Sequence, residues 1–185
     1  MTAATHRLMV NQVESHVRSA RTFDALYTDH FDFVWRSLRR LGVHVSLVED
    51  ATQDAFVVVH RRLGDLRPDA SPKAFLFGIA LRVAHDYRRR ARRKGASSLD
   101  TEQVVSVSSS PYDDTVKAQA VALVERFLAS LDDDKRAAFA LAELEGMTAV
   151  EISEALGVNP NTVSSRLRAA RERFVAFLQA QGVAP

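Results

Sequence analysis

Two all-α units joined by a polar connector are what this sequence predicts, and three observations predict them. Apolar residues recur three and four positions apart in nearly every periodic stretch, the spacing of one helix face. Glycines stand singly where those stretches end, and no run alternates as a strand hairpin would. Charge falls in blocks: residues 21–94 carry 15 basic and nine acidic side chains, 95–117 one and four, and 118–185 seven and nine. The chain total of +2 therefore conceals a basic first unit and an acidic connector.

The first unit reads as three helices. From Phe23 the apolar positions Leu26, Tyr27, Phe31, Val34, Trp35, Leu38 and Leu41 share a face, and Gly42 follows where a left-handed C-terminal residue is wanted. Ser46-Leu47-Val48-Glu49 has the form of a capping box opening a second helix, through Phe56 and Val59 to about Leu63, with Gly64 as its stop. Ser71-Pro72 supplies an N-cap and a first-turn proline for a third helix. That helix carries Phe75, Leu76, Ile79, Val83 and Tyr87 and ends in a run where six of the seven residues 88–94 are basic.

Residues 95–111 are Ser-rich and lack a sustained period, as expected of a linker. Helical spacing resumes with Val116, Ala120, Leu123, Val124, Phe127, Leu128 and Leu131. Asp132-Asp133-Asp134 suits the positive end of a further helix, with Ala138, Phe139, Leu141 and Leu144 on its face and Gly146 at its end. Thr148-Ala149-Val150-Glu151 is a second capping box, opening a short helix closed by Gly157, and Asn159-Pro160 starts the last one. Residues 1–20 show only a weak helical pattern, at Leu8, Met9, Val13 and Val17.

Composition excludes several functions. With no cysteine, the chain has no disulfide framework, Cys zinc site, iron–sulfur cluster or thiol nucleophile. The six histidines show no His-x-x-x-His or His-Glu-x-x-His spacing, no glycine-rich phosphate loop exists, and the aspartate triplet is explained by a helix start. No enzyme, cofactor or metal is expected. No uncharged apolar run approaches the ~18 residues of a membrane span and no signal peptide is visible, so the chain reads as soluble, in a reducing compartment.

Short helix, glycine turn and second helix over residues 148–174 form the layout of a helix-turn-helix. In its second helix Val163, Leu167, Ala170 and Phe174 make a narrow apolar stripe. Asn161, Ser165 and Arg168 lie opposite, with Ser164 and Arg166 on the flanks. Arginines and small polar side chains near a helix N-terminus are what base edges and phosphates of a major groove require. Four arginines against one glutamate between 161 and 173 favour DNA over a merely solvated face.

Two further stretches carry a resemblance. Val48-Glu49-Asp50-Ala51-Thr52-Gln53-Asp54-Ala55-Phe56 resembles the ED-x-x-Q-x-x-F signature of bacterial sigma factors. Phe75-Leu76-Phe77-Gly78-Ile79-Ala80 followed by Asp86-Tyr87-Arg88-Arg89 resembles the central helix of sigma region 2. The C-terminal segment, with Leu131, Arg136, Glu151-Ile152 and Thr162 to Arg171, resembles region 4. With these two regions alone, the chain is similar to the extracytoplasmic-function (ECF) group of sigma factors. It departs from the family pattern in having Asp132 where proline is usual, Phe75 for tryptophan, Arg82 for asparagine, and Ser164 and Ala169 in places that are often basic.

The resemblance implies a division into an N-terminal extension (1–20), a region 2-like domain (21–94), a linker (95–111) and a region 4-like helix-turn-helix domain (112–185). It implies that Asp50, Gln53, Asp54 and Phe56 dock on the β′ clamp helices of core RNA polymerase. Arg82, His85, Tyr87, Arg88, Arg89, Arg92 and Arg93 would meet the single-stranded −10 element, where Phe75 and Phe77 are further candidates for base stacking. Asn161, Thr162, Ser164, Ser165, Arg166 and Arg168 would read the −35 duplex. The partners implied are core polymerase, including its β flap, promoter DNA and an anti-sigma factor, in the cytoplasm without membrane insertion. Two other readings stay open from the residues: a stand-alone helix-turn-helix repressor or activator, and a protein-binding adaptor. A last expectation concerns the connector, whose Asp100, Glu102, Asp113 and Asp114 could fold back and screen the basic run 88–94.

Overall fold

The computed structural model describes residues 22–93 and 111–182, with only the helical backbone described for 111–117. The expectations for residues 1–20 and for the connector's acidic side chains lie outside the described residues. Every regular element among the described residues is helical. In chain order these are α1 (Phe23–Arg40), α2 (Val45–Arg61), a short 3-10 turn (Leu63–Asp65), α3 (Pro72–Arg93), α4 (Pro111–Ser130), α5 (Asp133–Phe139), α6 (Ala149–Leu156) and α7 (Pro160–Ala180).

Local chemistry sets the ends. The Thr22 side chain accepts from the Ala25 N–H, Asp24 lies in the first turn of α1 and Arg39 and Arg40 in its last, the polarity that the helix dipole favours. Helix α2 starts two residues earlier than the sequence suggests. His44 is its N-cap, its Nδ1 accepting from the Ser46 N–H, so Ser46 and Glu49 sit inside the helix and do not form a capping box. Gly64 falls within the 3-10 turn that follows. Asp132 caps α5 by accepting from the Lys135 N–H at 3.0 Å. Residues 140–144 continue α5 as a π-helical turn, which periodicity alone does not reveal.

The capping box at α6 is complete: Thr148 Oγ1 accepts from the Glu151 N–H, and Glu151 Oε2 accepts from the Thr148 N–H. Replacing Thr148 with alanine is expected to cost about 1 kcal/mol, measured as a lower urea midpoint. Hydrogen bonds from the Thr148 backbone N–H and hydroxyl hold the Glu151 carboxyl below its ordinary range. Its share of that stability is therefore present above the unfolded carboxyl pKa and is lost as pH falls through the folded one.

Helices α1, α2 and α3 pack on one another, and α7 packs on α5 and α6. These two units do not stand apart. Helix α3 packs along α6, and one apolar core runs from Leu26, Leu38, Phe77 and Ala80 through to Leu141, Ile152, Val163 and Leu167. A smaller aromatic cluster sits beyond it, where Phe127 lies 5.0 Å from Phe139 and 4.8 Å from Phe174 between ring centres. Each large apolar side chain buried this way contributes roughly 1.5–3 kcal/mol.

Arg136 binds the units together. Only 6% exposed, it donates from Nε to the Leu128 carbonyl at 2.7 Å and from Nη2 to those of Leu131 at 3.0 Å and Ala129 at 3.3 Å. These are carbonyls at and beyond the end of α4, where the helix runs out of N–H donors; only that of Leu128 also accepts a backbone N–H, from Leu131 at 3.2 Å. Nη1 donates to the Leu41 carbonyl at 3.4 Å, at the end of α1. Gly42 follows with φ +87°, and a Cβ there would meet Arg136 Nη1 at 2.8 Å, so both its backbone and its neighbour demand glycine.

Candidate nucleic-acid interface

Three surfaces collect the sequence-derived candidates. On α2, Asp50, Gln53 and Asp54 are exposed and lie one turn apart on one face. Phe56 is not part of that surface: at 3% exposure it is core, its ring 4.8 Å from Tyr27 and stacked 6.1 Å from Phe31. Beside the polar face lies a shallow apolar groove formed by Phe23, Tyr27, Phe56 and Val57, with Tyr27 and Val57 almost half exposed. The tyrosine and valine were not singled out from sequence, because each also fits an ordinary apolar helix stripe.

Tyr87, a candidate for base stacking, is tied to the α2 face instead. Its hydroxyl donates to Asp54 Oδ2 at 2.8 Å, and Arg90 lies over its ring at 5.6 Å. Burial, then the hydrogen bond to Asp54 and that residue's charge, push the phenol up to about 12, so it keeps its proton and remains a donor. Phe77 is 1% exposed and closed to any base. Phe75 is half-buried against the core and lines a groove with Arg62, Arg67 and Arg82.

The basic end of α3 divides in two. Arg82, Arg89, Arg92 and Arg93 are exposed, Arg89 with an ion pair to Asp86 at 2.9 Å. His85 and Arg88 turn toward the second unit, His85 Nε2 lying 3.4 Å from Asp133 Oδ2 while Arg88 hydrogen-bonds Asp133 Oδ1. Burial alone would raise the Asp133 carboxyl. The Arg88 hydrogen bond and the charges of Arg88, Arg136 and His85 outweigh it and hold the group below its ordinary range.

On α7 the apolar stripe of Val163, Leu167 and Ala170 is buried, which turns Asn161, Ser164, Ser165 and Arg168 outward. The Ser164 hydroxyl donates to the Pro160 carbonyl at 3.1 Å and that of Ser165 to Thr162 at 2.9 Å, leaving their oxygens as acceptors. Thr162 is half-buried. Arg166 is half-buried as well, and its guanidinium is held by Asp134. Asp134 and Asp133 thus each face a base, and Asp132 caps α5. Among the described residues no group of three or more acidic or histidine side chains could hold a metal ion. No helix among them is long and apolar enough to cross a membrane.

The Sigma-70 region 2 family matches residues 26–94, and the Sigma-70 region 4 family matches residues 122–174. The ECF RNA polymerase sigma factor SigM of Mycobacterium tuberculosis is 31% identical over 165 residues, covering 89% of this chain and 81% of that protein. RNA polymerase sigma factor CnrH of Cupriavidus metallidurans is 31% identical over 168 residues, 86% of this chain and 88% of that one. The solved structure of CnrH in complex with the cytosolic domain of CnrY superposes with a TM-score of 0.66 at 26% identity, over 90% of this chain and 94% of that chain. The sigma factor RpoE of Bartonella quintana, solved with the anti-sigma factor NepR, shares the fold at a TM-score of 0.64 and 20% identity.

Proposed function

Because the chain belongs to the ECF group of RNA polymerase sigma factors, we infer that its three surfaces work in sequence on one promoter. It binds core RNA polymerase and directs initiation at specific promoters, reading −35 duplex with the second unit and melting and capturing the −10 element with the first. The observation that carries this reading is the exposed Asp50–Gln53–Asp54 face, set on the same three-helix unit as the basic α3. A stand-alone repressor would need the helix-turn-helix but would have no use for that face.

Asp50, Gln53 and Asp54 offer acceptors to arginine side chains of the β′ clamp helices, and charge-assisted bonds of this kind are the strong ones. Arg82, Arg89, Arg92 and Arg93 line the path of single-stranded −10 DNA, where a basic groove follows the backbone. Arg168, Asn161, Ser164 and Ser165 face the −35 major groove. The polymerase performs the nucleotidyl chemistry and this chain none, in the cytoplasm where the transcription machinery works. CnrH was solved with the cytosolic domain of CnrY, and RpoE with the anti-sigma factor NepR, which supports an anti-sigma factor as regulator here.

Run-off transcription with purified core polymerase and a genomic promoter pool tests the reading. The double variant Asp50→Ala/Gln53→Ala should weaken core binding about tenfold or more, since hydrogen bonds to charged groups contribute roughly 1.5–3 kcal/mol. Its helical circular dichroism should stay unchanged, because both side chains are exposed. Wild-type affinity in a pull-down would remove this face from the polymerase interface.

A further inference from the structure

We propose that Tyr87 is a positioning residue of the polymerase-binding face, holding the Asp54 carboxylate of α2 from the neighbouring helix α3, and that it takes no part in base stacking. The proposal rests on the role inferred above for Asp50, Gln53 and Asp54 and extends that surface onto a second helix.

Tyr87 is half-buried where α3 packs on α2, and its hydroxyl donates to Asp54 Oδ2 at 2.8 Å. Arg90 lies over the ring, its guanidinium carbon 5.6 Å from the ring centre. The hydroxyl is thereby engaged and one face of the ring covered by a cation. A base stacking on that face would first have to displace Arg90.

The chemistry of the holder matters. Elsewhere carboxylates that meet a side chain of another helix are neutralised by it: Asp133 by Arg88, Asp134 by Arg166 and Glu145 by Arg40. Among the described residues Asp50 and Asp54 pair with no base. A carboxylate already in an ion pair has little charge left to offer an arginine of a partner. A phenol is different, because it is neutral and donates a single hydrogen bond. Asp54 therefore keeps its full negative charge, and its second oxygen, Oδ1, is left to accept. Burial, the hydrogen bond to Asp54 and the charges of Asp54 and Asp50 push the phenol up to about 12, so the donor is retained.

Holding the carboxylate also favours binding. A free carboxylate arm loses rotamer freedom when a partner fixes it, whereas one fixed beforehand avoids that loss. The bond further ties the polymerase-binding face to α3, on which Arg89, Arg92 and Arg93 follow Tyr87 within two turns. Polymerase that grips Asp54 thus also steadies the helix that carries the −10 arginines.

Titration with purified core polymerase, together with run-off transcription at saturating core, tests the assignment. Tyr87→Phe keeps the ring and removes the hydroxyl. It should raise the dissociation constant for core about three- to tenfold, leave the helical circular dichroism unchanged, and give full run-off once core is saturating. Asp54→Ala should lose at least as much. Adding Tyr87→Phe to Asp54→Ala should cause no further loss, because the hydroxyl acts only through that carboxylate. Tyr87→Leu, which keeps an apolar side chain without a ring face, should weaken core binding like Tyr87→Phe and also reach full run-off at saturation. Wild-type core affinity of Tyr87→Phe, or additive losses in the double variant, overturns the positioning role. Run-off that stays low at saturating core for Tyr87→Leu but not for Tyr87→Phe overturns it too, and places the ring on the −10 strand. If Tyr87→Phe binds core normally while Asp50→Ala/Gln53→Ala is weakened, only the role of Tyr87 falls. If neither is weakened, the polymerase-binding reading of the α2 face falls with it.

Discussion

Replacing Arg136 with methionine should destabilise the protein by about 3 kcal/mol, the largest loss expected from a single change that removes no apolar packing. The methionine fills the volume, but the carbonyls of Ala129, Leu131 and Leu41 lose the Arg136 donor, while that of Leu128 keeps only the Leu131 N–H at 3.2 Å. A buried carbonyl without a partner costs about 1–3 kcal/mol, and the separate costs do not simply add. Burial and the neighbouring Arg88 pull the guanidinium below the usual arginine pKa, and arginine keeps its charge in proteins. Arg136→Lys keeps the charge but offers a single ammonium where a planar fork reached several acceptors, so it should recover only part of the loss. Urea unfolding monitored by circular dichroism measures both variants. A wild-type midpoint for Arg136→Met would mean that the end of α4 is satisfied without it.

Arg136 also shows where the sequence stops being informative. Helix ends were legible because they rest on local chemistry: Asp132, Thr148 and Asn159 each cap a helix at the residue their side chains mark. His44 displaced the expected Ser46 cap because an imidazole Nδ1 accepts from an N–H as well as a hydroxyl does. The outward face of α7 was legible too, since a stripe of Val163, Leu167 and Ala170 fixes which side meets water. Partners distant in sequence were not. Tyr87 and Asp54, 33 residues apart, and Arg136 and Leu41, 95 apart, meet only because α3 and α5 are placed by tertiary packing. Charge blocks suggested a basic module, an acidic connector and a second module, with the connector's acids able to fold back on the basic run. The connector's acids lie outside the described residues; among those described, the bases of the first unit meet Asp133, Glu145 and Glu154, which the charge count did not single out. Nothing in the spacing of Gly78 announced that the Ala155 carbonyl of α6 would lie 3.1 Å from the place of a Cβ there.

Arg168→Ala should reduce −35-dependent initiation by roughly 10- to 100-fold, the 1–3 kcal/mol of a bidentate contact to a base. Arg166→Ala should do less at the same promoter. Its guanidinium is already held by Asp134 and its side chain is only 21% exposed, so its removal costs an intramolecular pair before it costs a DNA contact. The two variants therefore separate in stability as well as in activity, with Arg166→Ala the one that lowers the urea midpoint. Comparing initiation on the preferred promoter with initiation on the same promoter carrying a scrambled −35 element identifies the kind of contact. A base-reading Arg168 loses the preference between the two templates. A phosphate-binding one weakens both alike and reduces the salt slope by about one counterion. Full activity of Arg168→Ala on both templates would take the exposed face of α7 out of −35 recognition.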